Sequence, residues 1–439
     1  MTLVKEREGT YLERFRQKEG ALDQDMPAWI REMRHAAIES FAELGFPTTH
    51  DEEWKYTSVA PLLAEPFELA GEESVGEVRA KLERLPLADL DCGRLVFVNG
   101  RYTPDLTTIE RLPAGIQVGS LAAAARNDNA LIEHHLGRYA ESRSHAFVAL
   151  NTAFFADGAY IEIPKGTVLE KPLHILQVTT GSSSPSVTHP RTLILAGANA
   201  RAVIIESFCS LGDAKTFTNA VTEIVASEGA SVDYSKVQQE NDSAFHYARV
   251  QVQQERSSNV ATHSIQLGGA LTREEVQTVL AGEGAEALLQ GLYVISGRQH
   301  VDNHTTIDHA QPHCSSREIY KGVLEGKSQG VFNGKIIVRP DAQRTDSKQS
   351  NKNLLLSEDA IINTKPQLEI FADDVKCTHG ATVGQIDPEA VFYLRSRGIA
   401  ADQAKSLLTF AFANDVLERI KYKPLRERIA ERLFARLAK

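Results

Sequence analysis

Cys377 and His379 stand two residues apart in the segment DDVKCTHG, residues 373–380. On a strand both would project from one face, with Cα atoms about 6.6 Å apart. A thiolate and an imidazole so placed offer two ligands to an incomplete metal or cluster site, the remaining ligands coming from elsewhere, including another chain. The competing explanation is a cysteine that is simply buried, as cysteines often are.

A second cluster lies in HVDNHTTIDHAQPHC, residues 300–314, which holds four of the 14 histidines and one of the four cysteines. Imidazole and thiolate suit zinc, iron or copper. On an extended chain His300 and His304 share one face, while His309 and His313 share a face of opposite parity. A single site would therefore need a turn, which Asn303 or the Asp308-His309-Ala310 stretch could supply. The spacing is of no recognised zinc type, so buried or inter-coil polar ladders compete with a metal site. The segment KGVLEGKS, residues 321–328, ends like a phosphate-binding loop. Gly322 and Gly326 enclose three residues where the motif needs four, and the flanks read as strands without the helix whose amides would hold phosphate. No Gly-x-Ser-x-Gly elbow, HExxH helix or GxGxxG motif after a strand is present, so enzymatic chemistry has no recognisable home.

Composition bounds what can position these residues. The chain has 439 residues, 42% hydrophobic and 24% charged, which fits a globular or solenoidal protein and not a disordered or collagen-like one. Cysteines 92, 209, 314 and 377 lie too far apart for a CxxC knuckle or a self-contained cluster motif, and a chain this long does not call for disulfide stapling. Apolar runs fall short of a membrane span. The first twenty residues mix both charge signs without an apolar core segment, so the expected compartment is cytoplasmic. Net charge is −10. Residues 388–439 carry 11 Lys/Arg against 6 Asp/Glu, leaving an acidic body with a basic tail suited to docking a protein partner rather than nucleic acid.

Ile30, Met33, Ala37, Phe41 and Leu44 recur at helical spacing over Ala28–Leu44, and Gly45 and Pro47 stop the helix. The turn-rich residues 45–57 then hold Trp54, one of two tryptophans, which reads as a packed aromatic anchor. Residues 71–143 mix a helix near 76–84, a strand near 95–98 and an Ala-rich helix near 121–125. From about residue 146 to 382 short apolar–polar alternations dominate, as in Tyr160-Ile161-Glu162-Ile163. Small-residue corners begin at Gly197, Gly229, Ser257 and Gly284, a spacing that favours stacked β-coils over a sandwich or barrel. Helical spacing returns over residues 389–396, 402–414 and 424–437; in the last, Leu425, Ile429, Leu433 and Leu437 make one apolar face, to pack on the body or dock a partner. The expected division is a helical and α+β region over 1–145, a β-solenoid over 146–385 and a helical region over 386–439.

RTDSKQSNKNLLLSEDAIINTKPQLEIFADDVKCTHGAT, residues 344–382, resembles the signature of the SufB/SufD family of iron–sulphur cluster assembly proteins. GFPTTHDEEWKYT at residues 45–57, residues 301–336 and AVFYLRSRGI at residues 390–399 resemble its SufD members rather than its SufB members, so the resemblance spans nearly the whole chain. It implies a right-handed parallel β-helix flanked by helical N- and C-terminal regions. It also implies a non-catalytic scaffold that works with SufB and two copies of the ATPase SufC in an ATP-driven complex that builds and transfers clusters. The β-helices of SufB and this chain would pair, and residues 388–439 would dock SufC. The position matching the family's interface histidine, needed for cluster formation, is His379, and Cys377 matches the adjacent cysteine. The nascent cluster or iron would be transient and shared with SufB, with nothing bound tightly by this chain alone. The resemblance leaves room for a flavin at the level of the complex and for a homodimer of the isolated chain. Cys209 has no charged neighbour within two residues to activate it, and Cys314 sits within a SufD-like PHC motif, so the sulphur-accepting role falls to SufB. Two other classes compete. A polysaccharide-acting β-helix enzyme would need paired carboxylates on one face, whereas the adjacent Asp373 and Asp374 point to opposite faces. A stand-alone metal-binding solenoid would use His300, His304, His309, His313 and Cys314.

Overall fold

The computed structural model describes residues 2–83, 85, 87–109, 112–127, 129–181 and 184–437, leaving aside the side chains of Thr2 and Leu3. The helix expected near 76–84 is Val75–Leu82, and Arg84 lies outside the described residues, as do the last two residues of the tail.

The chain is a β-solenoid of about eight turns with helices at both ends. The strands form two sheets of 11 and 10 strands, and from Arg191–Ala196 to Lys376–Gly384 they alternate between the sheets, each pairing in parallel with the strand two places away. Thus His300–His309 pairs with Gln329–Val338, and Ser315–Leu324 with Asp346–Leu355. Side chains of period two face alternately a central lumen and an outer surface. The lumen holds a continuous apolar column that includes Ile175, Ile204, Leu289, Tyr293, Ile307, Tyr320 and Phe332. The strand expected near 95–98 is Gly93–Val98, and it joins the 10-stranded sheet by pairing with Leu173–Thr179.

The coil corners have a simple sequence rule. Asn199, Gly229, Ser257, Gly284, His313 and Arg344 all take positive φ, between 53° and 69°. The next residue in each case, Ala200, Ala230, Ser258, Ala285, Cys314 or Thr345, is small and at most 1% exposed. A left-handed residue turns the chain and a compact one fills the inside of the bend.

Helix Ala28–Leu44 buries Ile30, Ala37, Ile38 and Phe41, and Gly45 at φ 65° ends it by donating to the Phe41 carbonyl. With Phe15, Phe46 and helix Ala146–Phe154 it forms an aromatic cluster against the outer face of the 11-stranded sheet. At the other end lie Pro388–Ser396, Ala401–Leu417 and Lys423–Leu437. The apolar face of the last helix, Leu425, Ile429 and Leu433, packs on Ile265, Leu292 and Val323 of the 10-stranded sheet, so it belongs to the body. Helix Pro388–Ser396 buries none of its residues.

Candidate functional site

The last strand of the 10-stranded sheet is Lys376–Gly384, paired on one side with Asp346–Leu355 so that Cys377 aligns with Ser347 and His379 with Gln349. Those partners lie in a column with Ser316 and Glu318, which share the lumenal face of Tyr320 and Leu324. Cys377 and His379 therefore both face the lumen, side by side, at the coil where the solenoid ends. Cys377 is half-buried against the lumenal core and His379 is exposed.

The bend that launches this strand is pinned by backbone and side-chain bonds. The Asp374 amide donates to Gln343 Oε1 at 2.9 Å, and the Arg344 amide donates to the Asp374 carbonyl at 2.6 Å. Asp373 and Asp374 themselves sit in this bend, outside both terminal strands. Among the described residues no further strand stacks beyond Lys376–Gly384 or beyond Ile361–Ile370, the last strand of the other sheet. Ile361, Ile370, Phe371 and Val383 leave apolar surface exposed around this mouth, with Phe371 at 63%.

Burial raises the Cys377 thiol above its usual range, and nearby Asp346 adds to that, while a hydrogen bond from the Ser347 backbone opposes it. A metal cation would have to displace that proton to gain the thiolate. Burial also pushes Cys92 up to about 11 and Cys209 up to about 12, and raises Cys314. Burial thus disfavours the thiolate at all four cysteines.

The histidine cluster of residues 300–314 separates into distinct environments. His300 and His304 share one face, as their parity predicts, and that face is the outer one: His300 Nε2 lies 2.9 Å from Thr57 Oγ1, and His304 bridges Glu53 at 3.1 Å and Asp302 at 3.0 Å. Burial disfavours the His304 imidazolium, but Asp302 and Glu53 outweigh it and raise its pKa. His309 faces the lumen, 2.9 Å from Ser316 Oγ, and burial lowers it to about 4. His313 is a coil corner and Cys314 its buried small residue. Among the described residues no group of three or more His, Cys, Asp or Glu side chains is arranged to hold a metal ion. Gly326 turns the chain at φ 70° between Ser315–Leu324 and Gln329–Val338, so the phosphate-loop-like segment is a strand, a corner and a strand.

The loop of residues 45–57 bears out the expected aromatic anchor. Trp54 packs on Phe147 and Tyr247, and the Arg273 guanidinium lies 3.7 Å from its ring centre. Beneath it is a crevice of about 450 Å³ bordered by His145, Arg249 and Lys335. Sequence reasoning missed Glu318 and Gln349, the lumenal residues stacked behind His379. The one available signal was spacing: 31 residues separate Glu318 from Gln349 and 30 separate Gln349 from His379, one coil each.

The fold and the pair together define a β-solenoid protein with a thiol and an imidazole side by side at the open mouth of its last coil. Residues 178–412 match the family model described as SUF system FeS cluster assembly, SufBD core domain, and residues 5–175 match the SufBD protein N-terminal region. The chain belongs to the SufBD family of iron–sulfur cluster assembly proteins, and within it is SufD-like. An iron-sulfur cluster assembly SufBD family protein of Synechocystis sp. is 35% identical over 406 residues, covering 91% of this chain and 89% of its own length. The iron-sulfur cluster assembly protein SufD of Escherichia coli is 34% identical over 402 residues, 91% of each chain. SufD of Bacillus subtilis is 25% identical over 412 residues, 92% of this chain and 93% of its own. Among the described residues no helix is long and apolar enough to cross a membrane.

Proposed function

We propose that this chain is the non-catalytic scaffold subunit that pairs with SufB through its last coil, docks two copies of the ATPase SufC together with SufB, and contributes His379 and Cys377 to a cluster-building site shared with SufB. The observation that carries this reading is the lumenal placement of the Cys-x-His pair on a terminal coil with free strand edges and an apolar rim. A site of two ligands is incomplete in one chain and becomes complete when a second chain closes over the mouth. A neutral imidazole can take iron, and SufB brings the sulphur-carrying thiolate. Iron and sulphide are here the substrates of assembly.

The surface for SufC is best supplied by helix Pro388–Ser396 and the start of Ala401–Leu417. Phe392 is 71% exposed, Tyr393 57% and Leu407 40%, a set of large side chains that leave apolar surface open to a partner. Nucleotide-driven dimerisation of SufC would pull on these helices and open the SufB interface around His379.

Two measurements test the reading. Co-expressed with SufB and SufC, the chain is expected to give a native mass equal to one copy of itself, one SufB and two SufC. His379→Ala is expected to leave that mass intact while lowering the iron and sulphide recovered with the complex. Isolation of the chain alone under the same conditions, or unchanged iron and sulphide in the variant, would overturn it.

A further inference from the structure

In a parallel solenoid the lumenal side chains of successive coils stack in register, so each can bond the one above and the one below. Behind the mouth this column runs Glu318, Gln349, His379 on three consecutive strands of one sheet. Gln349 is 3% exposed, and its Nε2 donates to Glu318 Oε2 at 2.7 Å. Its other amide atom, Oε1, is buried without a partner. A buried carbonyl oxygen left unpaired keeps its desolvation cost with nothing to offset it. The next lumenal position outward is His379, and among the described residues no hydrogen bond holds its ring. By accepting from Nε2, the Glu318 carboxyl fixes which atom of the Gln349 amide is engaged and leaves Oε1 as the acceptor still open.

We propose that Gln349 is a positioning residue for His379, its Oε1 accepting the imidazole N–H so that one tautomer is fixed and the other ring nitrogen is presented to the mouth, with Glu318 anchoring the amide from behind. The inference rests on the reading of His379 as an iron ligand, and it gives that ligand the outer partner that metal-binding histidines ordinarily have. A ring free to rotate and exchange tautomers would meet iron in the productive state for only part of the time.

The test uses the isolated full-length chain labelled with nitrogen-15 at histidine, at a pH above the imidazole range, with His379 assigned by its loss in His379→Ala. The expected result is one dominant His379 tautomer in the parent chain and an exchange-averaged pair of ring nitrogens in Gln349→Ala. The swap Glu318→Gln with Gln349→Glu keeps an acceptor beneath His379 and a donor beneath that acceptor, so it is expected to restore the single tautomer. The ring signals of buried His174 and His189 report whether each variant is folded. In the complex with SufB and SufC, Gln349→Ala is expected to lower recovered iron about 10-fold or more, and the swap to recover it. An exchange-averaged His379 in the parent chain would overturn the proposal even if Gln349→Ala failed to fold. The two readings fail separately: a fixed, Gln349-dependent tautomer with iron recovery indifferent to His379→Ala would remove the cluster role and leave the positioning contact standing.

Discussion

Glu318 shows what the lumen does to a single residue. It is 1% exposed, its carboxyl accepts from the amide of Gln349 and pairs with no cation among the described residues, and burial raises its pKa from 4.5 to about 7. The unfolded chain releases this proton near pH 4.5 while the folded chain keeps it until about 7, so folding stability falls as pH rises through that window. A shift of this size corresponds to about 3 kcal/mol. Glu318→Gln retains an acceptor for Gln349 and cannot ionise, so its urea-unfolding free energy is expected to lose about that much less than the parent's between pH 5 and pH 8. Parallel curves for the two proteins would mean that the Glu318 carboxyl is not desolvated as the stack requires. The same residue marks the limit of sequence reading. Cys377 and His379 were legible because strand parity alone puts them on one face. Glu318 and Gln349 were not, because stacking across coils depends on coil lengths that vary by several residues. The corner at His313-Cys314 was likewise hidden, since it uses neither glycine nor alanine and two metal-ligating residue types masked a turn. Arg344-Thr345 is the same corner in another disguise.

At the scale of elements, the loop of residues 45–57 acts as a buckle across the outer face of four successive coils. Arg273, Asp302 with His304, Asn333 and Lys365 lie on neighbouring strands, and each meets Trp54, Glu53, Glu52 or Thr57 from the loop. Arg273 is 1% exposed and lies between Glu275 and Asp302, so its charge is matched before the indole covers it. The anchor was readable from one tryptophan in a polar, turn-rich segment, whereas its receptor was not, because Arg273 lies 219 residues further along the chain. Removing Trp54 takes away a largely apolar ring and its contact with the guanidinium, worth together about 3 kcal/mol. Trp54→Ala is therefore expected to lower stability by that amount and to raise amide hydrogen exchange over residues 45–57, while exchange in Ser315–Leu324 keeps its rate. Unchanged exchange over residues 45–57 would show that the charged contacts alone hold the loop.

The whole molecule is a solenoid with an unfinished end, and the two free edges there are unequal. The Ile361 and Phe371 amides donate inward to Ser328 and Val338, so along that strand the odd-numbered amides are satisfied and the even-numbered ones point outward. Pro366 occupies an outward position, where its missing N–H interrupts the free edge without weakening the ladder behind it. In Lys376–Gly384 the Lys376 amide donates inward to Thr345, so the outward amides belong to 377, 379, 381 and 383, and none of these is proline. A partner strand is therefore expected to pair with the Lys376–Gly384 edge, which places it directly over Cys377 and His379. Ala381→Pro deletes one outward amide of that edge in the manner already tolerated at Pro366. It is expected to leave the melting temperature of the isolated chain within a few degrees of the parent and to weaken association with SufB by about 10-fold, the loss of one interface hydrogen bond with its neighbours disturbed. The matching substitution Gly380→Pro deletes an inward amide and is expected to destabilise the chain itself. If Ala381→Pro binds SufB as tightly as the parent does, pairing runs through the side chains of the apolar rim, and Phe371 becomes the residue on which closure of the mouth depends.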